Sequence, residues 1–267
     1  MLPYARSVDT AEALKLALEL ADLADAITMD RFRAHDLKVE TKPDLTPVSE
    51  ADQAVERAIR TRLAVATGHT VLGEEYGTEL RSTDDDDSEY RWIIDPIDGT
   101  KNYVRGVPIW ATLIGLERAG TLIVGVASAP ALGMRWWAGK GLGAFRDGEK
   151  ITVSSVAHLD DAHLSFAWDT ADRFKADGIG PKLVELSHRC WRTRGVGDFW
   201  QHLLVAEGAF DVAIDPIVSL WDIAALVPII EEAGGRWTAV GGNADVDAAS
   251  FVCTNGLVHD AVIAALA

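Results

Sequence analysis

The sequence predicts an α+β first half, with helices laid on a mainly antiparallel sheet, followed by an α/β second half. Three observations carry this prediction. Two segments of helical periodicity come first, behind Asp9 and behind Ser49. Short apolar segments joined by tight turns then run to about residue 150. Beyond that point strands alternate with helices. The reading divides the chain into an N-terminal α+β domain at 1–150 and a C-terminal α/β domain at 151–267. With 267 residues, 48% hydrophobic and 25% charged, the chain has the balance of a globular protein with a large core.

Asp9-Thr10-Ala11-Glu12 has the form of a capping box. Leu16, Leu20, Leu23 and Ile27 follow at helical spacing, flanked by Leu14, Leu18 and Ala21, and predict a long helix with a broad apolar face. Residues 37–41 alternate and then break at Lys42-Pro43-Asp44, a surface turn. Ser49 is expected to cap a second helix whose core face includes Val55, Ile59 and Leu63. Thr70-Val71-Leu72 reads as a short strand ending at Gly73-Glu74-Glu75. The polar segment 81–89, with aspartates at 84–87, lacks the spacing of a calcium loop and is expected to be a mobile surface loop.

Residues 111–117 and 121–127 flank Ala119-Gly120 and predict an antiparallel hairpin. Segments 135–138 and 144–146 add strands, with Asp147-Gly148 as a tight turn. The glycines at 139, 141 and 143 resemble a nucleotide loop only superficially. No amphipathic helix follows them, so a hairpin connection is expected. In the second half, 164–168, 210–214, 236–239 and 250–253 read as strands. Residues 181–189, 198–207, 220–233 and 259–266 read as helices, with Gly208 and Gly234 at C-terminal positions.

The formal net charge of -16 disfavours attraction to nucleic acid or to an anionic membrane surface. A phosphate ester brought to so acidic a chain needs local cations. Two cysteines, Cys190 and Cys253, do not make a disulfide framework, and a reducing cytoplasm is expected. The N-terminal residues lack a basic stretch followed by an apolar one, so no signal peptide is expected, and without a run of ~18 apolar residues no membrane span is expected.

The stretch 91–102, Arg-Trp-Ile-Ile-Asp-Pro-Ile-Asp-Gly-Thr-Lys-Asn, concentrates the chemistry. Arg91 to Ile94 reads as a buried strand, and Pro96 is expected to stop it at Asp95. Asp95 and Asp98 then stand within reach of one ion, and amides after Asp98 can face an anion. Carboxylates for a hard cation beside amides for a phosphate point to metal-assisted phosphate chemistry. A plain Asx-turn accounts for Asp-Gly equally well. Four further acids have two readings each. Asp52 and Asp222 fit capping boxes behind Ser49 and Ser219, and Glu74 and Glu75 fit a solvated strand end.

Gly73-Glu74-Glu75, Asp95-Pro96-Ile97-Asp98-Gly99-Thr100, and Trp221-Asp222-Ile223-Ala224-Ala225 through Glu232-Ala233-Gly234-Gly235 occur in order along the chain. Together they resemble the inositol monophosphatase family of magnesium-dependent, lithium-sensitive phosphomonoesterases. The resemblance covers nearly the whole chain. It implies a layered α-β-α-β-α sandwich, often as a homodimer, and two to three Mg²⁺ per site. By that resemblance Glu74, Asp95 and the Ile97 carbonyl hold one ion, Asp95, Asp98 and Asp222 hold a second, and Glu74 helps place a third. Asp52 and Thr100 deprotonate the attacking water, while Gly99 and Thr100 amides bind phosphate. In-line attack then needs no covalent phosphoenzyme. Lys42 is a candidate extra cation, although its loop departs from the family pattern.

Within the family, 41–48, Lys101-Asn102-Tyr103-Val104-Arg105-Gly106-Val107-Pro108 and Gly197-Asp198-Phe199 look most like the histidinol-phosphate phosphatase branch. The departures from the inositol branch are Lys101, Arg105, Asp198 and Phe199. Asp215 stands where the family keeps an acid facing the alcohol part of the substrate, with Arg194 and Asp198 as expected neighbours. The competing substrates are inositol monophosphate, fructose 1,6-bisphosphate and 3′-phosphoadenosine 5′-phosphate. A non-catalytic metal-binding scaffold is a third reading, disfavoured because Asp52, Glu74, Asp95, Asp98, Thr100 and Asp222 are all present.

Overall fold

The computed structural model describes residues 9–43, 45–79, 89–167 and 178–267. Helix α1 spans Thr10–Arg31, and the Asp9 carboxylate caps it by accepting from the Ala11 N–H. Its buried stripe is Ala13, Ala17, Leu20, Ala21, Ala24 and Thr28, not the leucine stripe expected from periodicity. Leu16, Leu23 and Ile27 flank it half-buried. Small side chains let the helix axis approach the sheet, so alanines occupy the centre of the contact. Strands β1 (Val39–Thr41) and β2 (Pro47–Ser49) pair antiparallel around the Lys42 turn, in which Asp44 lies outside the described residues. Ser49 then caps α2 (Glu50–Ala66), whose Val55, Ile59 and Leu63 are buried as expected.

An eight-stranded sheet follows. It contains β3 (Thr70–Gly73), β4 (Gly77–Glu79), β5 (Tyr90–Asp98), β6 (Ala111–Arg118), β7 (Thr121–Ala129), β8 (Met134–Gly139), β9 (Gly143–Arg146) and β10 (Glu149–Lys150). The order is β10-β9-β8-β7-β6-β5-β3-β4, antiparallel except for β3 beside β5. The β6–β7 and β8–β9 hairpins are those the turn residues predict. Ala119-Gly120 and Asp147-Gly148 all take left-handed backbone. In the glycine-rich connection, Gly141 and Gly143 amides donate to the Glu232 carboxylate at 2.8 Å each. The aspartates at 84–87 lie outside the described residues.

Strand β5 does not stop at Asp95. It passes through Pro96 to Asp98 by way of a register shift against β6. A bulge is a place where a strand tolerates a residue without an N–H. The Pro96 carbonyl accepts from Thr112 Oγ1 at 2.8 Å. Helix α3 (Thr100–Val104) starts directly after Gly99, whose φ of 84° only glycine adopts without strain.

The second sheet has the order β12-β11-β13-β15-β14. Its strands are β11 (His163–Phe166), β12 (Arg192–Thr193), β13 (Val212–Asp215), β14 (Arg236–Thr238) and β15 (Phe251–Thr254). The helices are α4 (Ile179–His188), α5 (Asp198–Ala206), α6 (Leu220–Ile223), α7 (Leu226–Glu232) and α8 (His259–Leu266). The expected single helix over 220–233 is two, broken at Ala224-Ala225. Pro228 has no N–H to give the Ala224 carbonyl. The break also lies against the sheet, where Gly115 and Gly125 leave no room for a Cβ beside Ala224 and the Ala225 carbonyl.

Alternation along the strands sorts the chain into five layers. Leu20, Ile59, Ile94, Ile114 and Val126 pack α1 and α2 on one face of the large sheet. Ile93, Leu113 and Trp136 on its other face meet Phe199, Ile223 and Leu226, with Ala213 and Phe251 of the second sheet behind them. Val212, Ile214 and Val252 point the opposite way, against α4 and α8. The result is an α-β-α-β-α sandwich. The change of sheet falls between β10 and β11, and the largest apolar cluster crosses that point. No described helix is long and apolar enough to cross a membrane.

The tight approach of β7 to the helix break is testable. Gly125→Ala should lower stability by about 1–3 kcal/mol, because its methyl meets main chain that cannot yield. Gly68→Ala, with open space around it, should stay within about 0.5 kcal/mol. Thermal denaturation of the two variants checks this, and equal melting temperatures would refute the packing argument.

Candidate active site

Three carboxylates converge between the end of β5 and the start of α6. Asp95 lies on the β5 bulge, Asp98 at its end and Asp222 in the first turn of α6. Each offers an oxygen within 4.8 Å of the others. Asp95 is buried, and its Oδ1 accepts from the Ile97 N–H at 3.0 Å. Burial raises the Asp95 and Asp98 carboxyls well above the ordinary carboxylate range. For Asp95 the neighbouring Glu74, Asp98 and Asp222 charges add to this, and for Asp98 the Asp198 and Asp222 charges do. Burial also pushes Asp222 up to about 7. Charges of one sign held this closely need protons or cations. The donors are hard oxygens, which fit Mg²⁺.

Asp52 completes the cap and also stands beside Thr100. Its Oδ2 accepts from the Ser49 N–H at 2.8 Å and from Ser49 Oγ at 2.5 Å, which completes the cap. Its Oδ1 faces Thr100 Oγ1 at 3.4 Å. Thr100 Oγ1 also lies 3.0 Å from the Ile97 carbonyl. Burial pushes Asp52 up to about 6. Asp222 likewise accepts from the Ser219 N–H at 2.6 Å while its carboxylate belongs to the cluster.

Glu74 and Glu75 are set by a residue that sequence reasoning missed. The wholly buried Glu56 carboxylate accepts from the Glu75 N–H (2.8 Å) and the Tyr76 N–H (3.2 Å), and pairs with Arg60 at 2.7 Å. Gly73 has no side chain because that carboxylate fills the space. The only signal was an i,i+4 Glu-Arg pair, which reads as a solvated helix face. Lys42 does not line the cavity. Its Nζ donates to Glu74 at 2.8 Å and Glu75 at 2.7 Å. Burial pulls this ammonium down, but those two hydrogen bonds outweigh it and hold it above its ordinary value. Burial pushes Glu75 up to about 7.

A cavity of about 540 Å³ opens beside the cluster. Glu74, Asp98, Gly99, Thr100, Lys101 and Asp222 line one part of it, as the sequence led us to expect. Asp198 and Asp215 line it too, together with an apolar wall of Phe199, Val218, Ile223 and Leu226. Asp198 is non-glycine at φ 49°, a conformation that costs energy and recurs at functional sites. There the Phe199 N–H donates to Asp98 Oδ2 at 2.6 Å, and Asn102 Nδ2 donates to Asp198 Oδ2 at 2.9 Å. Arg194 is not brought in. Its amide donates to the Leu164 carbonyl, and its exposed guanidinium bonds the Thr193 carbonyl. His202, which the sequence reading passed over inside an apolar helix, lines the cavity.

The model for the inositol monophosphatase family matches residues 9–267. The chain belongs to the inositol monophosphatase family. It is a phosphatase acting on small phosphorylated substrates. A histidinol-phosphatase of Mycobacterium tuberculosis is 50% identical over 259 residues, covering 95% of this chain and 97% of that protein. One from Streptomyces coelicolor is 47% identical, covering 96% and 97%. The extragenic suppressor protein suhB of Bartonella henselae superposes with a TM-score of 0.87 at 26% identity, over 96% of this chain and 98% of that one.

The raised carboxyls dictate a pH dependence. A carboxyl held above its ordinary value binds its proton more tightly when folded. It therefore destabilises the fold while ionised, and the penalty fades as pH falls through the folded value. For Asp52 at about 6, and for Glu75 and Asp222 at about 7, the penalty is present above those values and relieved toward 4. A cation removes a penalty only where one exists. Mg²⁺ should therefore raise Tm more at about pH 7.5 than at about pH 5.5. Comparing samples with and without Mg²⁺ at each pH cancels the buried histidines, which titrate with the opposite sign. Equal shifts at the two pH values would contradict the carboxylate assignment.

Proposed function

We propose that the chain hydrolyses L-histidinol phosphate to L-histidinol and phosphate, the dephosphorylation step of histidine biosynthesis, with two to three Mg²⁺ per site. The observation that carries this reading is the 47–50% identity to two histidinol-phosphatases over nearly the full chain. The cavity supports it. Asp198 and Asp215 offer charge to the ammonium and imidazole of that alcohol, whereas inositol phosphate has only hydroxyls beyond its phosphate.

In the proposed mechanism, Glu74, Asp95 and the Ile97 carbonyl would hold one ion, and Asp95, Asp98 and Asp222 a second. When bound, the ions supply Lewis acidity, making water a nucleophile at neutral pH and offsetting charge on the leaving oxygen. Thr100 takes a proton from the attacking water and passes its own to Asp52. At about 6, Asp52 is ionised at neutral pH yet basic enough to accept it. The Gly99 and Thr100 amides hold phosphate oxygens, and Lys101 screens their charge. Lys42 keeps Glu74 and Glu75 together until cations arrive.

The chain is further proposed to act as two lobes, 1–150 and 151–267, that share the site, and as a cytoplasmic homodimer. Free Cys190 and buried free Cys253 accord with a reducing compartment.

A phosphate-release assay over histidinol phosphate, inositol 1-phosphate, fructose 1,6-bisphosphate and p-nitrophenyl phosphate tests the substrate. Histidinol phosphate should give the highest kcat/KM, and chelation should abolish turnover until Mg²⁺ is restored. Thr100→Ala and Asp52→Asn should lower kcat by about 10²–10⁴-fold with little change in KM. Asp198→Asn and Asp215→Asn should lower kcat/KM for histidinol phosphate about ten- to a hundredfold, and much less for p-nitrophenyl phosphate. Preference for another ester, or equal losses on both substrates, would defeat the reading.

A further inference from the structure

Asn102 sits in the first turn of α3, half-buried, and lines the cavity. Its Nδ2 lies 2.9 Å from the Ile109 carbonyl and 2.9 Å from Asp198 Oδ2. A carbonyl oxygen cannot donate, so the end of the amide facing Ile109 is its NH₂ end. One hydrogen goes to Ile109 and the other to Asp198. Both acceptors lie against Gly99. A Cβ there would meet the Ile109 carbonyl at 3.0 Å and Asp198 Oδ2 at 3.4 Å, so the bare glycine leaves the room in which this junction forms.

Asp198 needs such a hold for two reasons. Its backbone is left-handed at φ 49°, directly after Gly197 at φ 82°, and a non-glycine residue keeps that conformation only where its surroundings enforce it. Its charge and that of Asp98 also repel each other, which favours turning the carboxylate away from the acid cluster. The Phe199 N–H, 2.6 Å from Asp98 Oδ2, holds the main chain of the turn. The Asn102 amide holds the side chain. A carboxylate has more acceptor sites than one N–H fills, so Asp198 held in this way can still meet a cationic ligand.

We propose that Asn102 is a positioning residue for substrate choice. Its amide fixes the Asp198 carboxylate in the cavity wall and so sets the preference for an alcohol that carries positive charge, without touching that charge. The inference rests on the function proposed above and deepens it. Asn102 belongs to the helix whose first amides would hold phosphate, so one side chain sets the spacing between the phosphate and the carboxylate that meets the cation.

The test is a double-mutant cycle on the full chain with Mg²⁺. Asn102→Leu nearly keeps the size of the side chain and removes the donor. Selectivity is the ratio of kcat/KM on histidinol phosphate to that on p-nitrophenyl phosphate, whose alcohol part carries no positive charge. Asn102→Leu should lower this ratio at least about fivefold, with the loss lying in KM for histidinol phosphate. Asp198→Gly leaves no carboxylate to place and keeps the left-handed backbone without strain. In that background Asn102→Leu should change the ratio by less than about twofold. Equal losses on both substrates would overturn the proposal, and so would an undiminished loss of selectivity in the Asp198→Gly background. Should Asn102→Leu fail to fold, Asn102→Ala, a good helix former without the donor, takes its place under the same two criteria. A wild-type preference for another ester would defeat the function proposed above. The same cycle on that ester would then judge Asn102, coupling to Asp198 upholding the positioning role and additivity refuting it.

Discussion

Repulsion among buried carboxylates is the constraint on which the rest of the site depends. Asp95, Asp98 and Asp222 bring oxygens within 4.8 Å of one another. At an effective dielectric of about 20, each ionised pair at that distance repels by roughly 3–4 kcal/mol. Three such pairs rival the whole stability of a typical domain, about 5–15 kcal/mol. The fold therefore has to hold these groups by force of packing, and protons or cations have to relieve them. Each anchoring device found around the site serves that end. The β5 bulge carries Asp95 and Asp98 past Pro96. The break at Ala224-Ala225 presses α6, and with it Asp222, onto the large sheet. Glu56 ties the Glu74-Glu75 turn to α2 from below.

Much of this was legible because the acids sit in local patterns with short-range consequences. Ser49 and Asp52 announce a helix start, and the structure shows that one oxygen of Asp52 caps while the other faces Thr100. Asp222 divides its work in the same way. The hairpins, the α2 core face and the order of the three acidic motifs could be read for the same reason. What escaped depended on contacts between distant segments. Periodicity favours leucines over alanines, so it misplaced the α1 face, which is chosen by how closely the sheet lies. Pro96 reads as a stop unless a bulge accommodates it. Glu56 looks like one half of a solvated pair on its own helix and gains meaning only through the Glu75 and Tyr76 amides beyond that helix. Lys42 was expected beside the substrate, but two nearer carboxylates claim its charge first.

The cavity joins two different chemistries. Along one wall, acids and turn amides suit a cation and a phosphate. Along the other, an apolar surface stands beside the carboxylates of Asp198 and Asp215. Asp198 links the two. Its left-handed backbone accompanies a Phe199 amide that donates to Asp98, while its carboxylate takes the Asn102 amide. A change at Asp198 is thereby felt by the acid cluster, because one short turn serves the cavity wall and Asp98 alike.

The central claim is that the carboxylate cluster exists to hold divalent cations. The most direct measurement is anomalous scattering from a crystal of the chain grown with Mn²⁺ in place of Mg²⁺. The account predicts strong peaks between Asp95, Asp98, Asp222 and Glu74, with Lys42 drawn away from Glu74. Absence of a peak there at saturating Mn²⁺, or ions bound only elsewhere with Lys42 still on Glu74, would contradict it.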